Sequence, residues 1–284
     1  MLWVFRGLGL LPLGLLQALG GVSGWGIWLL SPRYRRRSRE NTRQAGVAGR
    51  ARWASIGEAG KQLFELPRVW FGRRVPVGWQ GAGHIEAARA HGQGLLLLTP
   101  HLGCFEVTAQ AFAERFGTPP GGVPITVLFR PPRKAAFMPV LAAARHRDGM
   151  QAAPATLRGV RQLAQALKGG QAVGLLPDQV PPDGLGVWAP FFGRDAYTMT
   201  LSARFAQLPG VQVLLVWGER LAWGRGYVVH VQPWSAVMAE PLAPQPSQAA
   251  AQINRAMEWL IAQAPAQYLW GYARYKGPRV SDPD

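Results

Sequence analysis

The sequence predicts an α/β fold, a mixed sheet flanked by helices, behind an N-terminal membrane-anchor helix. Three observations carry this. Short unbroken apolar runs such as 95–98 (LLLL), 125–129 (ITVLF) and 211–217 (VQVLLVW) are too brief for helices and too continuous for half-exposed strands. Segments of helical periodicity separate them. And no charged side chain stands between Gly7 and Pro32.

The N-terminal stretch LGLLPLGLLQALGGVSGWGIWLL is long enough to cross ~30 Å of hydrocarbon at ~1.5 Å per residue. A cleaved signal peptide would want a shorter apolar core, more than the single Arg6 ahead of it and a small-x-small site. Residues 33–53 then carry eight arginines (33, 35, 36, 37, 39, 43, 50 and 52) against one acid, Glu40. Such a flank stays cytoplasmic and is drawn to anionic lipid. The expected organisation is therefore a membrane anchor over 1–32, spanning or re-entrant, a basic juxtamembrane segment over 33–53 and one folded domain over 54–284.

Within that domain 54–72 reads as an amphipathic helix, and helix and strand then alternate. Residues 84–94 form a helix stopped by glycine, 95–98 a buried strand and 105–117 a helix. The strand 125–129 is followed by a helix over 133–147 interrupted by Pro139. A helix over 156–170 precedes a strand at 172–176, and 201–210 is helical. Strands at 211–217 and 226–232 lead to a final helix over 248–263.

The chain is 48% hydrophobic, with 12 Trp and 11 Phe, enough for a sizeable core, which excludes general disorder. Its single cysteine, Cys104, excludes an internal disulfide framework, and five scattered histidines give no metal-ligand spacing. With 31 basic residues against 15 acidic ones the net charge is +16, which favours anionic partners. Nucleic acid fits poorly: no recognition motif is present and the densest basic run abuts the apolar segment.

Chemistry is expected where the run LLLL ends in Thr99-Pro100-His101, with Glu106 five residues on. Reactive groups in α/β sheets gather beyond the C-terminal ends of strands, and Pro100 ends this one. Five positions along a regular helix turn about 140° apart, so His101 and Glu106 can meet only if His101 precedes the helix, a departure that Gly103 eases. Imidazole takes a proton near neutral pH, and a carboxylate on its far nitrogen fixes the tautomer. A His and a Glu at this spacing are ordinarily structural; the position at the strand end is what singles them out. Cys104 could act as a thiolate nucleophile beside His101 or be a small buried residue.

Four stretches in order, TPHLGCFE (99–106), VLFRPPRK (127–134), GLLPDQVPPDGLGVWAPFFGRDAYTMT (174–200) and PAQYLWGYARYK (265–276), resemble the lauroyl and myristoyl transferases of lipid A biosynthesis, within the lysophospholipid acyltransferase superfamily. The resemblance covers essentially the whole chain. It implies a glycerolipid-acyltransferase-like fold and transfer of a fatty acyl group, without a cofactor or metal, from acyl carrier protein thioester to a hydroxyl of a lipid A precursor. The place is the cytoplasmic face of the inner membrane. His101 would be the general base and Glu106 its orienting partner, with Arg130 on the acceptor's phosphate. Asp178 and Gln179 would lie on the same rim, and Arg274 and Lys276 would clamp phosphate or snorkel at the interface. The chain departs from the family where Gly103-Cys104-Phe105 stands in place of Gly-Asn-Trp and Ala135-Ala136 in place of Asn-Pro. These changes leave open acylation of another glycolipid or a lysophospholipid, and hydrolysis of the thioester is a further alternative.

Overall fold

The structure is a computed structural model that describes residues 1–129, 135–145 and 147–278. Helices α1 (Leu2–Gly9) and α2 (Leu13–Leu30) flank Pro12, and α3 (Pro32–Gln44) begins at a proline behind the Ser31 cap. The basic segment is thus helical for much of its length. The span expected as one helix over 54–72 is two, α4 (Gly49–Phe64) and α5 (Leu66–Phe71), broken beside Pro67. Next come β1 (Val77–Gln80), α6 (Ala82–Ala90), β2 (Gly94–Leu98) and α7 (Phe105–Phe112), which runs on as a π turn. Then follow β3 (Ile125–Phe129), α8 (Met138–Arg145), β4 (Met150–Pro154), α9 (Leu157–Lys168) and β5 (Ala172–Leu175). Pro139 stands in the first turn of α8, where a missing N–H costs nothing, and not in a helix interior.

The chain continues through a hairpin of β6 (Gly186–Phe191) and β7 (Arg194–Met199) into α10 (Leu201–Ala206), β8 (Val211–Arg220), β9 (Tyr227–Pro233), α11 (Trp234–Val237) and α12 (Pro246–Gln263). Seven strands form one mixed sheet in the order β1-β9-β8-β2-β5-β3-β4; β6 and β7 form a separate antiparallel pair. From β8 to β4 all neighbours are parallel, whereas β9 runs against β8.

The four leucines of β2 explain the sheet's burial. Successive side chains point to opposite faces: Leu95 and Leu97 join one apolar cluster with α7, Leu96 and Leu98 another with α9 and α12. All four are at most 5% exposed, and each contributes ~1.5–3 kcal/mol of burial. A strand buried on both faces leaves its C-terminal end open to chemistry, and His101 lies three residues past the end of β2.

Candidate active site

Strands β2 and β5 lie side by side in parallel, with Leu98 opposite Leu175, and the Thr99 N–H donates to the Leu175 carbonyl at 3.1 Å. The loops leaving both strands therefore emerge together. His101 comes from the first, Asp178 and Gln179 from the second. The His101 backbone N–H donates to Asp178 Oδ2 at 2.9 Å, and His101 Nδ1 lies 2.8 Å from Asp178 Oδ1. Gln179 Nε2 lies 2.9 Å from His101 Nε2. A carboxylate accepts only, so Nδ1 carries the proton; Nε2 is then the bare acceptor, and the Gln179 amide donates to it.

The expected orienting residue was Glu106. Both ring nitrogens are instead engaged from the β5 loop, and the Trp70 indole N–H donates to Glu106 Oε2 at 3.2 Å. His101 and Glu106 nevertheless line the same cavity. The irregular turn expected at Gly103 is present. Its φ is +59°, and a β-carbon there would stand 2.0 Å from the Gly218 carbonyl oxygen, so only glycine fits.

Asp178 is buried. Burial alone would raise its carboxyl, but the His101 ring, the hydrogen bonds from His101 and the nearby Arg274 guanidinium outweigh it and hold the group below the usual aspartate range. Cys104 is buried as well; burial and the neighbouring Glu65 push its thiol well up, which removes the thiolate a nucleophile requires.

The cavity has a volume of about 530 Å³. Its floor is the sheet, where Leu97, Gly174 and Val127 stand in register on three adjacent strands, and Phe105, Thr108 and Ala109 of α7 form a wall. Gly174 brings no side chain to this floor, and a β-carbon there would stand 3.3 Å from Val127 Cγ1 and 3.5 Å from Ile125 Cδ1. Leu157 and Leu185 also line the cavity while exposed to solvent, which marks the mouth as apolar. A site of this kind can hold an alkyl chain with its reactive end at an imidazole.

A profile of the family described as bacterial lipid A biosynthesis acyltransferase matches residues 53–277. The chain belongs to that family. It is similar to a lipid A biosynthesis palmitoleoyltransferase of Escherichia coli K12, 27% identical over 228 residues, 78% of this chain and 70% of that one. A lauroyltransferase of the same organism is 26% identical over 223 residues, 76% and 69% of the two chains. A lipid A biosynthesis acyltransferase of Haemophilus influenzae is 25% identical over 190 residues, 67% of this chain and 56% of that one.

In this lipid A acyltransferase family member the PAQYLW stretch acts as a clamp. The Gly103 N–H donates to the Gln267 carbonyl at 3.0 Å and the Leu269 N–H to the His101 carbonyl at 3.2 Å. Gln62 of α4 donates to the carbonyls of His101 and Gly103, both at 3.1 Å. Beneath them Arg220 donates to Glu65 and Glu58 and to the Gly103 carbonyl, and the Tyr227 hydroxyl donates to Glu65. Sequence reasoning missed Gln62, Arg220, Glu65 and Gly174; the one hint was that Glu58 and Glu65 are acids in a chain with few of them.

Arg274 was expected to clamp phosphate or to snorkel at the interface. It is 2% exposed and donates to the Tyr197 carbonyl and the Thr198 hydroxyl, each at 2.7 Å, so it fastens the C-terminal segment beneath the β6–β7 hairpin. Lys276 is half-buried, its ammonium 5.4 Å from the Tyr272 ring centre. Arg130 lies outside the described residues.

Proposed function

We propose that this chain moves a fatty acyl group from acyl carrier protein thioester to a hydroxyl of a lipid A precursor at the cytoplasmic face of the inner membrane, with His101 as general base. The observation that carries the reading is an imidazole whose Nδ1 is held by a buried carboxylate at the edge of an apolar cavity. The acceptor hydroxyl takes the place of the Gln179 amide against Nε2. Nε2 removes the hydroxyl proton as its oxygen attacks the thioester carbonyl, and Asp178 stabilises the imidazolium that forms. The tetrahedral adduct collapses, the carbon–sulfur bond breaks, and the imidazolium returns the proton to the departing thiolate. The balance is one ester formed and one thioester broken, with no covalent acyl-enzyme.

Asp178 thus assumes the role that the resemblance gave to Glu106, and Glu106 is a carboxylate on the cavity wall. The net charge of +16 suits an acidic carrier and a phosphorylated acceptor alike. The test is mass spectrometry of lipid A from a strain lacking this chain, complemented with wild type or with His101→Ala. Wild type should restore one acyl chain and His101→Ala should not. Restoration by both would remove the proposal, and acylation of a different glycolipid by wild type would relocate the acceptor.

A further inference from the structure

Helix α2 is long and apolar enough to cross a membrane by length and composition. Its packing argues for another placement. Residues Leu13, Leu16, Gln17, Gly20, Gly24 and Trp28 form one buried stripe. That stripe lies along α4 in a glycine seam: a β-carbon on Gly60 would stand 2.0 Å from the Gly20 carbonyl oxygen, and one on Gly24 2.3 Å from the Ile56 carbonyl oxygen. Such an approach is open only to residues without a side chain.

The N-terminal end of α2 is fastened too. The Gly224 N–H, in the β8–β9 turn, donates to Gln17 Oε1 at 3.1 Å. To stand across a bilayer, α2 would have to draw α4 in beside it, with Arg50, Arg52, Glu58 and Lys61. Charged groups at that depth are costly.

The opposite side of α2 is apolar and exposed: Leu15, Leu19, Val22, Leu29 and Leu30. Two independent features extend this face. Trp223, at the tip of the β8–β9 turn, is 92% exposed, and Gly14 of α2 lies against its backbone. At the other end, the exposed Trp25 and Trp53 stack on each other over the buried Trp28, with the guanidinium of Arg39 4.9 Å from the Trp28 ring and that of Arg52 5.9 Å from Trp53. Aromatics capped by arginines suit the headgroup layer of an anionic leaflet.

We infer that α2 does not span the membrane but lies in the plane of one leaflet, its outer side and Trp223 buried at the boundary between headgroups and acyl chains, with the arginines of α3 and α4 on anionic headgroups. The chain is then monotopic, and its membrane segment is part of the folded domain.

The test uses the full chain on vesicles of phosphatidylethanolamine and phosphatidylglycerol. Single cysteines replace the exposed Leu15, Val22 and Leu29 in a Cys104→Ser background, each carries a fluorophore, and depth is read by quenchers placed along the lipid chains. The three positions should share one shallow depth, ~5–10 Å below the headgroups. Val22 deepest, with Leu15 and Leu29 in opposite leaflets, would overturn the inference, as would three labels untouched by any lipid quencher. Separately, Trp223→Ala should weaken vesicle partition by ~tenfold through loss of one buried aromatic ring; unchanged partition would remove the turn from the contact and contradict the in-plane placement. Neither readout needs turnover, so both are independent of the transferase assay.

Discussion

Replacing Asp178 by Asn removes one charge and keeps the shape. In the wild type both carboxylate oxygens accept, Oδ2 from the His101 backbone N–H at 2.9 Å and Oδ1 from the ring at 2.8 Å. An amide has one acceptor and one donor group. If its oxygen faces the backbone N–H, its NH2 faces Nδ1 and forces the proton onto Nε2, so the base is lost. If its oxygen faces Nδ1, two N–H groups collide. Either way the imidazolium also loses its counter-charge. General base catalysis is worth ~10²–10⁴-fold, and the Ser-His-Asp precedent, in which the same Asp-to-Asn change costs about 10⁴ in kcat, sets the upper end. We expect kcat to fall by ~10³, equal to ~4 kcal/mol of barrier, with KM changed by less than ~threefold because the cavity is untouched.

The assay is transfer of a labelled acyl group from acyl carrier protein to a lipid A precursor in detergent, scored beside Glu106→Gln. Asp178→Asn within about threefold of wild type, or Glu106→Gln the more damaging of the two at the level of kcat, would refute the pairing. A pH series adds a second readout. The Asp178 carboxyl is lower in the folded chain than in the unfolded one, so its contribution to stability is complete above its ordinary value of 3.8 and is lost as pH falls through the folded value. The stability difference between wild type and Asp178→Asn should therefore not shrink near neutrality and should shrink only below pH ~4; a difference that shrinks between pH 7 and 6 would contradict it.

Cys104→Ala should keep kcat within ~twofold and lower stability by only ~1 kcal/mol, since a small buried side chain is trimmed; loss of turnover with an intact fold would revive the thiolate. Arg220→Met strands the fully buried Glu65 carboxylate, which costs ~3–5 kcal/mol, so Tm in thermal scans should drop by ~6–20 °C; a shift under ~2 °C would show that the network is not the keystone of the His101 loop. Gly174→Val raises the cavity floor against Val127 and Ile125 and should favour shorter acyl donors, each excluded methylene costing ~0.8 kcal/mol or ~fourfold in kcat/KM; an unchanged chain-length profile would place the alkyl chain elsewhere.

The run 95–98 and the break at Thr99-Pro100 were legible because a strand buried on both faces has one composition and one open end. His101, Asp178 and Gln179 were legible as rim residues for the same reason. Their pairing was not. It depends on β2 lying beside β5 while β3 and β4 lie beyond, and sequence order does not give strand order. Glu106 attracted attention through its closeness in sequence, yet Gly103 turns the backbone so that the ring faces a residue 77 positions away.

Arg274 was misjudged because the β6–β7 hairpin that covers it was not foreseen. The turn of that hairpin holds Phe192 and Gly193 at φ +48° and +73°, and a phenylalanine carries no Asn-Gly signature of such a turn. The short strands β1 and β4 carry too few apolar residues to stand out. In α2, the glycines that suit a membrane helix also suit a tight seam against α4, so composition alone could not separate spanning from docking.

The most direct measurement of the central claim is the turnover number of purified His101→Ala against wild type, with acyl carrier protein thioester as donor and a lipid A precursor as acceptor. The account predicts a loss of ~10³-fold or more in acyl ester formed, with the folded state intact by thermal melting. Equal ester formation by the two proteins would mean that the imidazole held on Asp178 is not the base.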